Sequence, residues 1–231
     1  MIKRTLLPLL LLSANLASAA ELTEMEIRWL KAGSAVLNYA KQQLKLPIDI
    51  TVQPQARAND VPLALGYDKG RCKLVLSMRG NPNAEDILDH VPATQQALMI
   101  EAMVAHEIGH CWRYAQGSWH AVPAGFEERP APAGAEEELR DTRREEGFAD
   151  LVALAWIHQQ HPQQYASVAA WMRSVREPSA AAGTAGTAGT YSTHSTLSWL
   201  QLAPTGAAFT PGLPIFEQAS VVWRQGLLRD Q

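Results

Sequence analysis

His106-Glu107-Ile108-Gly109-His110 sets two imidazoles and a carboxylate within five residues. On a helix, histidines four apart stand one turn apart on the same face, so both rings can reach one metal ion. Glu107, next to the first histidine, projects beside such an ion rather than at it, where it can take a proton from an attacking water. With 7 His and 15 Glu in 231 residues, chance supplies about 0.01 matches to this pattern. The plain alternative, two core histidines bonded to backbone carbonyls, leaves the neighbouring glutamate unexplained.

Residues 94–114 must hold this pattern, and they read as a mostly buried helix. Ala97, Ile100, Met103, Val104 and Ile108 recur at helical spacing, with the histidines inside the segment rather than at a solvated end. A catalytic zinc takes three protein ligands and keeps a fourth position open. The third ligand is sought in Arg144-Glu145-Glu146-Gly147-Phe148-Ala149-Asp150, where a polar run from Glu136 gives way to the apolar Leu151 to Ile157. Thr142 and Glu145 stand at capping-box spacing, which would start or restart a helix there. Glu146 and Asp150 share a face, so one can bind metal while the other fixes a ligand histidine. Glu145 competes for the ligand role, but Ala149, four residues on, offers no supporting carboxylate.

His106-Glu107-x-x-His110 followed by Glu146-x-x-Ala149-Asp150 resembles the gluzincin metallopeptidases, in particular the CAAX prenyl endopeptidase type and its small soluble relatives, the minigluzincins. The resemblance covers about residues 94 to 160. It implies His106, His110 and Glu146 as ligands of one Zn2+ per chain, Glu107 as general base, and Asp150 as partner of a zinc histidine. It further implies a later histidine that stabilises the tetrahedral intermediate. His194, in Tyr191-Ser192-Thr193-His194-Ser195, stands in the right order, with Ser195 where proline is usual and Tyr191 a second candidate.

The N-terminus reads as a secretory signal over residues 1–19. Lys3 and Arg4 precede the apolar Leu6 to Leu12, and Ala17-Ser18-Ala19 offers a small-residue cleavage site. That apolar stretch is too short to span a bilayer. A periplasmic or secreted protein is expected, with no stable membrane insertion once the signal is removed. In an oxidising compartment the pair Cys72 and Cys111 is expected to form a disulfide, worth about 3–4 kcal/mol on the chain-entropy model. Without the signal, 18 basic residues face 23 acidic ones, a formal charge of −5, and no basic cluster suits nucleic acid. The expected partner is a peptide or protein substrate.

The remaining chain, residues 20–231, is long enough for a single domain with a sizeable core. A helix is expected over 22–44, with Thr23 and Glu26 as a capping box, followed by a short strand over 48–52. Residues 73–79 alternate as a strand, with Leu74, Leu76 and Met78 on one face. By resemblance, this is the edge strand that holds an extended substrate beside the metal. Loops are expected over 117–134 and over the low-complexity stretch 178–190. Helices over 162–176 and 214–228 complete the pattern, and Trp156, Trp171, Trp199 and Trp223 read as core.

The fold class is therefore α+β, a mostly helical gluzincin-type domain with a small sheet beside the HExxH helix. The expected function is zinc-dependent peptide hydrolysis. Two alternatives stand beside it: a non-catalytic, zinc-stabilised periplasmic binding protein, and a zinc hydrolase acting on a non-peptide cell-wall amide.

Overall fold

The computed structural model describes residues 21–54, 61–128, 134–177 and 195–229. The proposed signal at 1–19, the 178–190 loop, Tyr191 and His194 lie outside the described residues.

The fold is α+β: mostly helical, with one three-stranded sheet. The expected helix over 22–44 is two helices, α1 (Glu24–Ala32) and α2 (Ser34–Gln42). They meet at Gly33, where a Cβ would lie 2.6 Å from Val104 Cγ2. Only glycine fits at this junction, because the neighbouring helix leaves no room for a side chain. The capping box of α1 is present: Thr23 Oγ1 accepts from the Glu26 N–H (3.2 Å), and the Glu26 carboxylate accepts from the Thr23 N–H (2.8 Å).

The strands are β1 (Ile48–Pro54), β2 (Leu63–Asp68) and β3 (Arg71–Arg79), in the order β1-β3-β2. β1 runs parallel to β3, with Ile48 opposite Cys72, and β2 runs antiparallel to it, with Tyr67 opposite Cys72. Lys69 and Gly70 join β2 to β3, both at positive φ (49° and 78°), as a tight hairpin of this hand requires. The strand expected over 73–79 is thus the central strand and not an edge. Its pattern does not report this, because Lys73, Val75 and Arg79 stay partly open on the outer face while both backbone edges are paired. Among the described residues, the open-edged strand beside the histidine helix is β2. Its Leu-Ala-Leu-Gly-Tyr-Asp sequence has weak strand formers and escapes the pattern.

Helix α3 (Ala93–Ala115) carries the HExxH pattern and packs on β2, β3 and α1. Helix α4 (Ala135–Gln160) packs along α3 and is longer than expected at its start. Thr142 does not cap it: from the helix interior its Oγ1 donates to the Glu138 carbonyl (2.9 Å), while Glu145 turns to Arg113. From Phe148 to Ile157 every residue of α4 is buried, as befits a helix apolar all round. The expected 162–176 helix is a 3-10 turn, Pro162–Gln164, running into α5 (Tyr165–Arg176). The short α6 (Leu197–Leu200) and the longer α7 (Ile215–Leu227) close over α4.

Trp156, Trp199 and Trp223 are core, and Trp171 packs against the core while partly exposed. Cys72 at the start of β3 and Cys111 on α3 stand at disulfide-bonding distance, their Cα atoms 5.7 Å apart. Among the described residues, no helix is long and apolar enough to cross a membrane.

Candidate metal centre

α3 and α4 come unusually close beside the histidines. A Cβ on Gly109 would fall 2.9 Å from Ala149 Cα, so only glycine permits this approach. The contact brings Glu146, one turn before Ala149, over the two histidines that flank Gly109. His106 Nε2 and His110 Nε2 are 3.0 Å apart, and the Glu146 carboxylate oxygens lie 3.5 Å from the first and 3.4 Å from the second.

These three side chains form a group that could hold a metal ion. Three ligands of a tetrahedral ion at about 2.0–2.1 Å would sit about 3.3 Å from one another, and the observed separations bracket that value. The two imidazole Nε2 atoms and the carboxylate point into one space, where a cation could take the place of a proton shared between them.

The rings are held differently. Asp150 accepts a hydrogen bond from His106 Nδ1 (2.8 Å). It also accepts from Arg176 Nε (3.0 Å), Arg176 Nη2 (2.8 Å) and Thr196 Oγ1 (2.5 Å). Burial alone would raise this carboxyl, but the Arg176 charge and the bonds to His106 and Arg176 outweigh it, and Asp150 is held well below the usual carboxylate range. An ionised Asp150 requires His106 Nδ1 to carry the proton, which leaves the Nε2 lone pair free for a metal. Arg176 Nη2 also reaches Glu146 Oε2 (3.2 Å), so one guanidinium orients both acidic residues. His110 has no such support: its Nδ1 is buried and unpaired among the described residues. Burial pushes His110 down, but Glu146, with Glu107 and Glu145, more than offsets this and raises it.

Burial pushes the Glu107 carboxyl up and Glu146 adds to the rise, against an opposing pull from His106 and His110. Glu107 is thus within electrostatic reach of both histidines and of Glu146.

Glu145, the competing ligand of the sequence reading, faces away from the histidines. Its carboxylate accepts from Arg113 Nε (3.0 Å), Arg113 Nη2 (2.7 Å) and the His120 N–H (2.7 Å), and Arg113 Nη2 also donates to the Ala121 carbonyl (2.6 Å). The Arg113 guanidinium carbon lies 4.6 Å from the Trp223 ring centroid. This buried pair fastens the loop after α3 and sets Trp119 edge-on to His110, ring centroids 5.6 Å apart.

Thus the structure brings His106, Glu107, His110, Glu146 and Asp150 together, while His194 lies outside the described residues. Sequence reasoning missed Arg176 and Thr196, which no spacing rule ties to residues 26 to 46 positions earlier. It also missed Arg113, whose place inside a mostly buried helix was the one available signal of a buried ion pair. Comparison of the chain with protein-family models, with curated proteins and with solved structures finds no match.

Proposed function

We propose that this protein is a zinc-dependent peptidase of gluzincin type, with His106, His110 and Glu146 as metal ligands and Glu107 as general base. The observation that carries this reading is the convergence of two imidazole Nε2 atoms and one carboxylate within 3.5 Å of one another, beside Glu107. When bound, zinc supplies a Lewis acid that acidifies water and polarises a carbonyl. His106 presents Nε2 because Asp150 holds its other nitrogen, and Arg176 steadies the Glu146 carboxylate. A Glu107 carboxylate oxygen accepts a proton from the attacking water and delivers it to the leaving amine nitrogen. The rise that burial gives Glu107 moves it towards neutrality, where a general base works best.

The open edge of β2 can pair with an extended peptide backbone next to α3. Three protein ligands with a base at hand favour hydrolysis over a purely structural site, which takes a closed four-ligand shell. The cysteine pair fits an exported protein, since disulfides persist in oxidising compartments.

The test is elemental analysis with a peptide-library digest on wild type, His110→Ala and Glu107→Gln. About one zinc per chain is expected in wild type, lost in His110→Ala and kept in Glu107→Gln, with hydrolysis abolished in both variants. Full activity in Glu107→Gln, or no zinc uptake by wild type, overturns the reading.

A further inference from the structure

Beside the metal-binding group runs a row of aromatic rings that the core does not need. Tyr67, on the open-edged strand β2, stacks on Tyr114 of α3 with centroids 4.9 Å apart and planes within 5°. Tyr114 stacks on Trp119 at 3.9 Å and 12°. Trp119 stands edge-on to His110. The row therefore leads from a metal-ligand candidate to a solvent-facing end at Tyr67, which is 39% exposed.

We infer that Tyr67, Tyr114 and Trp119 form a recognition wall for an aromatic side chain, carried by the substrate within a few residues of the bond to be cleaved. What carries the ring rests on the peptidase reading; the binding of a ring does not.

Three observations favour an aromatic ring over other occupants. His120 stacks on Trp119 at 5.0 Å and closes that end of the row, so a further ring extends the near-parallel stack at its exposed Tyr67 end, at the 4.5–7 Å spacing that aromatic pairs prefer. Arginines sit over rings elsewhere, Arg113 over Phe148 and Trp223 and Arg144 over Phe126, but no cation lies over this row among the described residues. Beside Tyr67, Lys73 Nζ also donates to Asp68 Oδ2 (2.9 Å), so this nearby cation is already paired. The wall is rigid as well, because the Glu145–Arg113 pair and its bonds to His120 and Ala121 hold the loop that bears Trp119. A pre-set platform binds without first being ordered.

The probe is N-acetylphenylalanine amide, with N-acetylalanine amide as its control. Each is titrated into the protein with zinc and again after chelator treatment. The readout is the NMR signal of the Trp119 indole N–H, assigned by its loss in Trp119→Phe. The phenylalanine amide is expected to shift that signal with and without zinc, and the alanine amide to leave it in place. Tyr67→Ser, a change at an exposed position, is expected to weaken the response about two- to tenfold, the range of one aromatic pair. Equal responses to the two amides, or an unchanged response in Tyr67→Ser, overturn the inference. Ring binding by a protein that cleaves no peptide leaves the wall standing and removes the peptidase reading; peptide cleavage without ring binding does the reverse.

Discussion

Gly109 and Ala149 are in backbone contact: a side chain on the first would strike the Cα of the second at 2.9 Å. This contact sets the separation of the two helices that carry the candidate ligands. Glu146 meets His106 and His110 only because α3 and α4 approach this closely.

Gly109→Ala should therefore force the helices apart. The expected cost is about 1–3 kcal/mol of stability, as for other overpacked sites. Thermal unfolding of chelator-treated protein isolates that effect, and competition with a zinc chelator measures the accompanying fall in metal affinity. Wild-type affinity in a folded Gly109→Ala protein would show that the contact does not position Glu146.

Asp150→Asn keeps the shape of the residue but removes the charge that fixes His106 with its proton on Nδ1. Zinc affinity should fall about 10- to 100-fold, the usual effect of losing such a partner. Chelator competition checks this. An unchanged constant would mean that His106 needs no fixed tautomer.

The two neighbouring glutamates should separate cleanly. Glu146→Ala is expected to lose metal with the fold intact. Glu145→Ala is expected to keep metal but to lose about 3–5 kcal/mol, because it strands a buried Arg113. Elemental analysis beside denaturant unfolding distinguishes them, and metal loss confined to Glu145→Ala would reverse the ligand assignment.

Acid stability should depend on Glu26. Its hydrogen bond with Arg79, 2.8 Å from Nε, holds this buried carboxyl below its ordinary value, against the opposing effect of burial. A carboxyl depressed in the folded state contributes stability above its unfolded value, about 4.3, and loses it as pH falls through the folded value. Glu26→Gln should thus be less stable than wild type at pH 7 by about 1.5–3 kcal/mol, the range for a hydrogen bond to a charged group. The gap should close as pH falls below about 4. A gap independent of pH in urea unfolding would remove Glu26 from the acid response.

What could be read from the chain were the features that local spacing writes directly. The 94–114 helix is recorded by its apolar period, the α1 start by its Thr23–Glu26 box, and β3 by its alternation. The pairing of His106 with His110 follows from the helical turn alone. The relations that span the chain were not legible in this way. That β3 is central and β2 the edge depends on which strands pair, and the Ala and Gly of β2 hide it from propensity. Thr142 stands at capping-box spacing yet lies inside a helix, because the ends of α4 are set by what packs against it.

The sequence by itself determined the candidate ligand types, the candidate base, and the helical face that His106 and His110 share. Those are short-range consequences of backbone geometry. Only the tertiary structure decided that Glu146 and not Glu145 joins the histidines, since that choice turns on the rotation of α4 about Ala149 and on Arg113 drawing Glu145 to the other side. The structure likewise decided that Asp150 answers to Arg176 and Thr196. Such contacts are made between elements far apart in the chain, and packing geometry, which no residue spacing encodes, brings them together.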